Sequence, residues 1–304
     1  KLMHEGWPNP DSLEINDYTA ANRGSWDCLQ TTASFDDYLH RVALPQLKEL
    51  TGRYPDVSVI WWDTPMSITD KQAALLQNEI EKYPHIITND RLKRPNFAGD
   101  YKTPEGRVPK LEDVEGVDWE TCMNIGSSWG YKSWESNWKE PVELIRNLVS
   151  IAARGGNYLL NVGPTPLGEI PAEAISRLDA MRDWLSVNGQ AIYGTQRSNL
   201  QPAWGECVRK DLNRRSILYL CVFDWPKDGK LVLDANYRVR GASMLHDGAS
   251  LKVKRENRKT VISVPSQAPN EIVSVIKLEL NELLPPVKLI SNSEKYFDIV
   301  DENK

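Results

Sequence analysis

The stretch VELIRNLVSIAARGGNYLLNVGPTPLGEIPAEAISRLDAMRDWLSVNG, residues 142–189, contains two helical patterns on either side of a short apolar run. The first predicted helix is Val142–Ala153, and the run Asn157–Val162 is typical of a buried strand. The second predicted helix, Pro171–Val187, begins with proline and is followed by Asn188-Gly189, which is the usual asymmetry of helix ends. This order of elements predicts a parallel sheet covered on both faces.

The same alternation of helices and strands extends upstream of this stretch. Apolar residues at helical spacing predict a helix at Phe35–Leu50, and the apolar strand Val57–Trp62 follows it. Thr69–Tyr83 is another predicted helix, opened by a Thr-Asp pair suited to N-capping. Further strands are predicted at His85–Thr88 and around Trp119–Ile125.

Beyond Thr195 the pattern changes to short runs with alternating or β-branched character, separated by glycine-containing turns. The runs are Ser216–Phe223, Lys230–Leu233, Gly241–Leu245, Leu251–Arg255, Lys259–Val264 and Ile272–Leu280. They predict a small antiparallel β-sandwich. We therefore expect an α/β domain over residues 1–195, a sandwich over residues 196–281 and a polar tail over residues 282–304.

Charge and hydropathy exclude two classes of partner. The formal net charge of the 304 residues is -5, and this balance predicts no nucleic-acid partner. No apolar run approaches the ~20 residues that a membrane-spanning helix needs, so no membrane association is expected. The glycine-rich ARGGNYLLNVGP lacks the GK[ST] ending of a phosphate loop, and its glycines precede the strand, so nucleotide binding is rejected.

The cysteines and histidines predict neither a disulfide framework nor a metal site. No CxxC pair occurs among the four cysteines, which are expected to be buried thiols: Cys28, Cys122, Cys207 and Cys221. No metal-ligand spacing relates the four histidines, which are His4, His40, His85 and His246. We expect no metal and no cofactor.

In the sequence VSVIWWDTP, residues 57–65, a predicted apolar strand is followed immediately by the carboxylate Asp63. In parallel α/β folds the functional groups lie where strands end at their carboxyl edge, so Asp63 is a candidate catalytic residue. A helix cap or a loop salt bridge is the alternative. A phosphatase-type nucleophile is set aside, because Pro65 stands where that chemistry usually has a second aspartate.

A second carboxylate is needed for most carbohydrate chemistry. Glycosidases pair two carboxyl groups, one as nucleophile and one as proton donor. Two candidates are Glu105 in TPEG and Glu120 in WETC, and from the residues alone either one is a weak candidate.

Several segments together resemble one known family. The segments WWDTP, TNDR, GDYKTPE, WETCMNIGSSWGY and the block Arg146–Thr195 are similar to the α-L-fucosidases of glycoside hydrolase family 29. The resemblance runs in order from about Leu44 to Thr195 and continues more loosely through the predicted sandwich, which ends in PNEIVSVIKLEL.

The resemblance implies roles for individual residues. Asp63 matches the family's nucleophile, and Glu105 matches the acid/base of members that carry a TPE motif. Glu120 is then a pocket residue, with the roles of the two glutamates exchanged as the fallback. Three further substrate-binding residues are implied: Trp61, Arg91 and Trp129.

The resemblance implies a retaining exo-glycosidase that hydrolyses terminal α-L-fucosyl linkages of glycans by double displacement. Its fold is a (β/α)8 (TIM) barrel followed by a β-sandwich, yet only about four barrel strands precede the sandwich here. The expectation is therefore the C-terminal half of a barrel. The chain is expected first of all to be a fragment of a longer enzyme, and otherwise to work beside a separate N-terminal half or to complete the barrel by self-association. The alternative is a truncated, inactive fucoside-binding protein. Family members are commonly secreted, periplasmic or lysosomal.

Overall fold

The computed structural model describes residues 34–63 and 68–287, and the chain separates into two compact units. We call Lys1–Thr103 the N-terminal unit and Pro104–Lys304 the C-terminal unit. The division into domains at residues 195 and 281 stays a prediction. Several residues of the sequence analysis lie outside the described part of the chain: His4, Cys28, Pro65 and the tail from residue 288.

A helical run opens the described part of the N-terminal unit. Helix α1 (Phe35–Tyr38) passes through a π-helical turn (Leu39–Ala43) into α2 (Leu44–Arg53). The Ser34 hydroxyl caps the run by accepting a hydrogen bond from the Asp37 N–H at 3.2 Å. The predicted helix is present and continues slightly beyond its predicted end.

Helix α3 (Asp70–Ile80) begins with the capping arrangement that the Thr-Asp pair predicts. The Thr69 hydroxyl accepts a hydrogen bond from the Gln72 N–H at 3.3 Å, and the Gln72 side chain accepts one from the Thr69 N–H at 2.9 Å. Such a cap contributes about 1 kcal/mol. The buried faces of α2 and α3 form the apolar core of this unit with Leu39, Leu47, Ala73, Leu76 and Ile80.

Two short parallel strands, β1 (Val59–Ile60) and β2 (Ile87–Thr88), complete the N-terminal unit. Both are shorter than predicted. Beyond β1, the Trp62 backbone bonds to the side-chain amide of Asn89 in place of a backbone partner, so the regular ladder stops.

The C-terminal unit begins with α4 (Leu111–Val114), which was not predicted, and β3 (Glu120–Asn124), which lies within the strand predicted around Trp119–Ile125. The three elements that the opening stretch predicts follow as α5 (Pro141–Ala153), β4 (Asn157–Asn161) and α6 (Ala172–Asn188). Strands β3 and β4 pair in parallel with α5 as the crossover, which confirms the predicted parallel pairing.

Two glycines make the turn from α5 into β4. Gly155 has φ +80°, a left-handed conformation that ends the helix. A Cβ on Gly156 would lie 2.3 Å from the Trp119 ring, so only glycine fits this approach.

Antiparallel strands follow from Gln196 to Leu280. They are β5 (Gln196–Arg197), β6 (Gly205–Leu212), β7 (Arg215–Val222), β8 (Lys230–Leu233), β9 (Val239–Met244), β10 (Val253–Glu256), β11 (Lys259–Ser263) and β12 (Ser274–Leu280). One sheet has the order β5-β6-β7-β12-β9 and the other β10-β11-β8. A shared core lies between them, built from residues that include Leu218, Leu220, Leu231, Ile262 and Leu278.

Strand β7 is buried on both sides. Its other face, with Ile217 and Tyr219, packs in one core with α5 and α6. The Trp184 indole of α6 donates a hydrogen bond to the Val273 carbonyl at 2.9 Å. The helices and the sandwich of the C-terminal unit therefore share a continuous apolar core.

Strand β6, which carries several charged residues, is absent from the predicted elements. Arg209 is only 3% exposed and is neutralised by Asp211, at 2.6 Å from Nε. It also donates to the carbonyls of Leu284 and Pro285. The start of the predicted tail is thereby held along the sandwich.

Candidate active site

Asp63 lies just past the carboxyl end of β1, at the end of the apolar segment that contains Trp61 and Trp62. Its side chain is 62% exposed, so a ligand can reach the carboxylate. Arg91 forms an ion pair with it, with Nη1 at 3.3 Å from Oδ1. The carboxylate is therefore oriented through Oδ1.

Arg91 connects the predicted residues of the N-terminal unit. Its side chain is 15% exposed and lies over the Trp61 ring, with Cζ at 5.3 Å from the ring centroid. A cation above an indole face is attracted by the ring quadrupole, which favours this position. The Nε–H donates to the Thr103 hydroxyl at 2.9 Å. The structure thus brings together three of the predicted residues, Trp61, Asp63 and Arg91.

Two residues of this cluster were not predicted. Tyr101 places its ring at 6.2 Å from that of Trp61, and Thr103 holds Arg91. Both belong to the GDYKTPE segment that carries part of the family resemblance. That segment was the available signal, although nothing in a single threonine or tyrosine marks it as a site residue.

Glu105 lies in the C-terminal unit, beside β3. It forms an isolated parallel bridge with Cys122, flanked by a bond from the Gly106 N–H to the Cys122 carbonyl at 2.9 Å. Its side chain is exposed. The backbone of the TPEG segment is thereby fixed against a regular strand.

Glu120 is the first residue of β3 and pairs with Asn157 at the start of β4. This is the amino end of the parallel pair, whereas functional groups of parallel sheets usually lie at the carboxyl end. Burial raises the pKa of Glu120. The strand position argues against Glu120 as the proton donor, whereas its raised pKa argues for it, so the roles of both glutamates stay predictions.

Trp129 lies on the loop that follows β3, at the carboxyl end of the strand. Its side chain is 45% exposed, and its carbonyl accepts a hydrogen bond from the Asn161 side chain at 2.9 Å. Glu135 holds the same loop by accepting bonds from Ser127 and from the Asn137 N–H. These bonds, the Ser127 hydroxyl first, lower the pKa of Glu135 to about 2. The indole is therefore presented to solvent by a constrained loop.

The three cysteines among the described residues are buried, as the sequence predicts. Cys207 and Cys221 are buried, and burial raises the pKa of Cys207 to about 12. Over residues 34–63 and 68–287, no three His, Cys, Asp or Glu side chains converge as they would around a metal ion. Within the same ranges, no helix is both long and apolar enough to cross a membrane.

Glycoside hydrolases usually act through a pair of carboxyl groups, and Asp63 supplies an accessible carboxylate beside Arg91 and Trp61. A family model described as α-L-fucosidase matches residues 7–190. The chain belongs to the α-L-fucosidase family.

Curated relatives and solved structures agree with this assignment. The chain is 29% identical to an α-L-fucosidase of Dictyostelium discoideum over 77% of this chain and 54% of that protein. It is 31% identical to the tissue α-L-fucosidase of Homo sapiens, with the same two coverages. The chain thus spans about half the length of these curated relatives.

Two solved structures show the same fold. The α-L-fucosidase isoenzyme 1 of Paenibacillus thiaminolyticus is similar with a TM-score of 0.72 and 29% identity, over 84% of this chain and 65% of that one. A family 29 α-L-fucosidase of Bacteroides thetaiotaomicron has a TM-score of 0.71 and 28% identity, over 80% and 61%. The latter is a trapped covalent intermediate in complex with 2-fluoro-fucosyl fluoride.

Proposed function

We propose that this chain carries the nucleophile of a retaining exo-α-L-fucosidase that acts on terminal α-L-fucosyl linkages of glycans. The observation that carries the proposal is the accessible Asp63 carboxylate, held by an arginine that also lies over Trp61. Family membership supplies the substrate class, and the covalent intermediate of the Bacteroides thetaiotaomicron relative supports a covalent route.

The reaction proceeds in two displacements. In the first, an Asp63 oxygen bonds to the anomeric carbon as the glycosidic C–O bond breaks, and the Glu105 proton passes to the leaving oxygen. In the second, Glu105 removes a proton from water, whose oxygen displaces Asp63 from the anomeric carbon. Two inversions leave the configuration retained.

The remaining predicted residues bind the sugar. Trp61 and Trp129 offer apolar faces to fucose, whose C6 is a methyl group, and aromatic rings pack well against such surfaces. Arg91 donates to a sugar hydroxyl as well as to Asp63. Glu120 serves as a pocket residue, and it takes the acid/base role only as the fallback.

The barrel of this chain is a half that a further polypeptide segment or a second copy completes. Support comes from the strands, since Val59 of β1 and Ile87 of β2 are 46% and 44% exposed. Large apolar side chains on parallel strands are normally covered on both faces. The length of the curated relatives, about twice the matched part, points the same way.

Hydrolysis of 4-nitrophenyl α-L-fucoside by the 304-residue chain tests the proposal. Asp63→Ala removes the nucleophile and should lower kcat/KM by about 10³-fold or more. Asp56→Ala, an exposed carboxylate before β1, is the matched control and should leave kcat/KM unchanged. Folded chain that binds fucose without turnover would support the binding-protein alternative instead.

A further inference from the structure

We propose that Asn89, Asp90 and Thr103 are positioning residues that together fix Arg91 and the backbone next to Asp63. The inference rests on the proposed function, in which Asp63 is the nucleophile. Catalysis requires the reacting groups to be held within a few tenths of an ångström of their productive geometry. Residues that hold Asp63 or Arg91 in place should therefore affect the rate.

Asn89 fixes the main chain on both sides of the ion pair. It is fully buried, and its Oδ1 accepts hydrogen bonds from the Trp62 N–H at 3.1 Å and the Arg91 N–H at 3.2 Å. Its Nδ2 donates to the Trp62 carbonyl at 2.8 Å. One amide therefore ties the residue before Asp63 to the main chain of Arg91.

Asp90 and Thr103 fix the Arg91 guanidinium. The Thr103 hydroxyl lies 2.6 Å from Asp90 Oδ1, and an ionised carboxylate only accepts, so the hydroxyl must donate to it. The hydroxyl lone pairs then accept from Arg91 Nε–H at 2.9 Å and from Arg94 Nη2 at 3.2 Å. Thr103 is 2% exposed, so water does not compete for these bonds.

Arg94 determines which groups donate and which accept, because it keeps Asp90 ionised and therefore an acceptor. Its Nε and Nη2 donate to the two oxygens of Asp90 at 2.9 and 3.0 Å. Burial of Asp90 opposes ionisation, but the bonds from Arg94 and Thr103 outweigh it and hold the pKa of Asp90 below its usual value. With Asp90 ionised, the Thr103 hydroxyl presents an acceptor to Arg91 at all physiological pH values.

The side-chain N–H signal of Arg91 reports this positioning without any need for turnover. In ¹H–¹⁵N spectra of the full chain, Arg91→Lys identifies the Arg91 Nε–H resonance by its loss. We expect Thr103→Val to shift that resonance and to speed its exchange with water at least tenfold, because the acceptor is gone. Thr103→Ser keeps the hydroxyl and should restore both. Thr88→Val, at another buried threonine of the same unit, is the matched control and should change neither.

Kinetics with 4-nitrophenyl α-L-fucoside give the second readout. A hydrogen bond to a charged group predicts a loss in kcat/KM of roughly 10- to 100-fold for Thr103→Val. The value of kcat/KM for the same substrate should fall less than about threefold in Thr103→Ser or Thr88→Val, since both variants keep a hydroxyl acceptor at position 103. Wild-type chain with neither turnover nor fucose binding overturns the proposed function for this chain acting alone, while the Arg91 signal still decides the positioning role. An Arg91 signal that is the same in Thr103→Val and wild type overturns the positioning inference.

Discussion

Strands β7 and β1 contrast sharply in how much of their surface the described chain covers. In β7 every residue from Ser216 to Val222 is buried, because one face packs into the sandwich and the other against α5 and α6. In β1, Val59 is 46% exposed and Ile60 is only partly buried. The sandwich is thus closed by its own sheets and helices, whereas the parallel strand that leads to Asp63 retains accessible apolar surface. The proposed nucleophile and the incompletely covered strand therefore lie in the same region.

Truncation of one side chain in each strand tests the difference in packing between β7 and β1, and it has the largest expected effect. Leu220→Ala opens a cavity beneath a fully buried residue and should lower the free energy of unfolding by about 2–5 kcal/mol. Val59→Ala removes half-exposed surface and should cost less than about 1 kcal/mol. Urea unfolding of both variants measures the difference. Equal losses would mean that β1 is as well packed as β7.

Arg146 tests how strongly helix α5 is joined to the sandwich in the C-terminal unit. It lies on α5, donates to the carbonyls of Ile272 at 3.2 Å and Phe223 at 3.0 Å, and its Cζ lies 5.0 Å from the Phe223 ring centroid. Arg146→Met should cost about 2–3 kcal/mol, because two partly buried carbonyls lose a charged donor. Arg182→Met is the control on an exposed helix position and should cost less than about 0.5 kcal/mol. Thermal unfolding of both chains tests this, and similar values of Tm would refute it.

Asp90 supplies the smallest expected effect and tests the polar packing behind Asp63. Asp90→Asn should lower stability by about 1–2 kcal/mol at pH 7, because charged hydrogen bonds to Arg94 and Thr103 weaken. The folded-state pKa of Asp90 lies below the unfolded value of about 3.9, so its contribution is fully present above that pH.

The stability difference between wild type and Asp90→Asn should therefore shrink as the pH falls below about 4. Urea unfolding at pH 7 and near pH 3 measures it. The exposed Asp56→Asn serves as the control and should differ from wild type by less than about 0.5 kcal/mol at either pH. A difference that grows on acidification would contradict the ionised state of Asp90.

The sequence predicted the elements whose pattern is local. Periodicity and end signals located α3, α5 and α6, and the alternating runs located most strands of the sandwich. Strand β6 was missed, because charged residues such as Arg209 are buried through partners far along the chain at Leu284 and Pro285. Contacts between residues so far apart in the sequence cannot be predicted from the residue pattern of a short segment.

The candidate site divides in the same way. Family resemblance identified Trp61, Asp63 and Arg91, and the structure places them in contact. Thr103 could not be predicted, because its proposed positioning role depends on simultaneous bonds to Asp90 and Arg91. The end of β1 shows the same limit, since the Asn89 amide replaces the backbone ladder that an apolar run predicts.

Covalent labelling tests the central claim, that Asp63 is the nucleophile, most directly. The 304-residue chain would be incubated with 2-fluoro-fucosyl fluoride, digested and analysed by mass spectrometry. We predict one 2-fluoro-fucosyl group on the peptide that contains Asp63 and none in Asp63→Asn, since the amide cannot form the ester. Labelling of Glu105, Glu120 or another carboxylate in place of Asp63 would contradict the account.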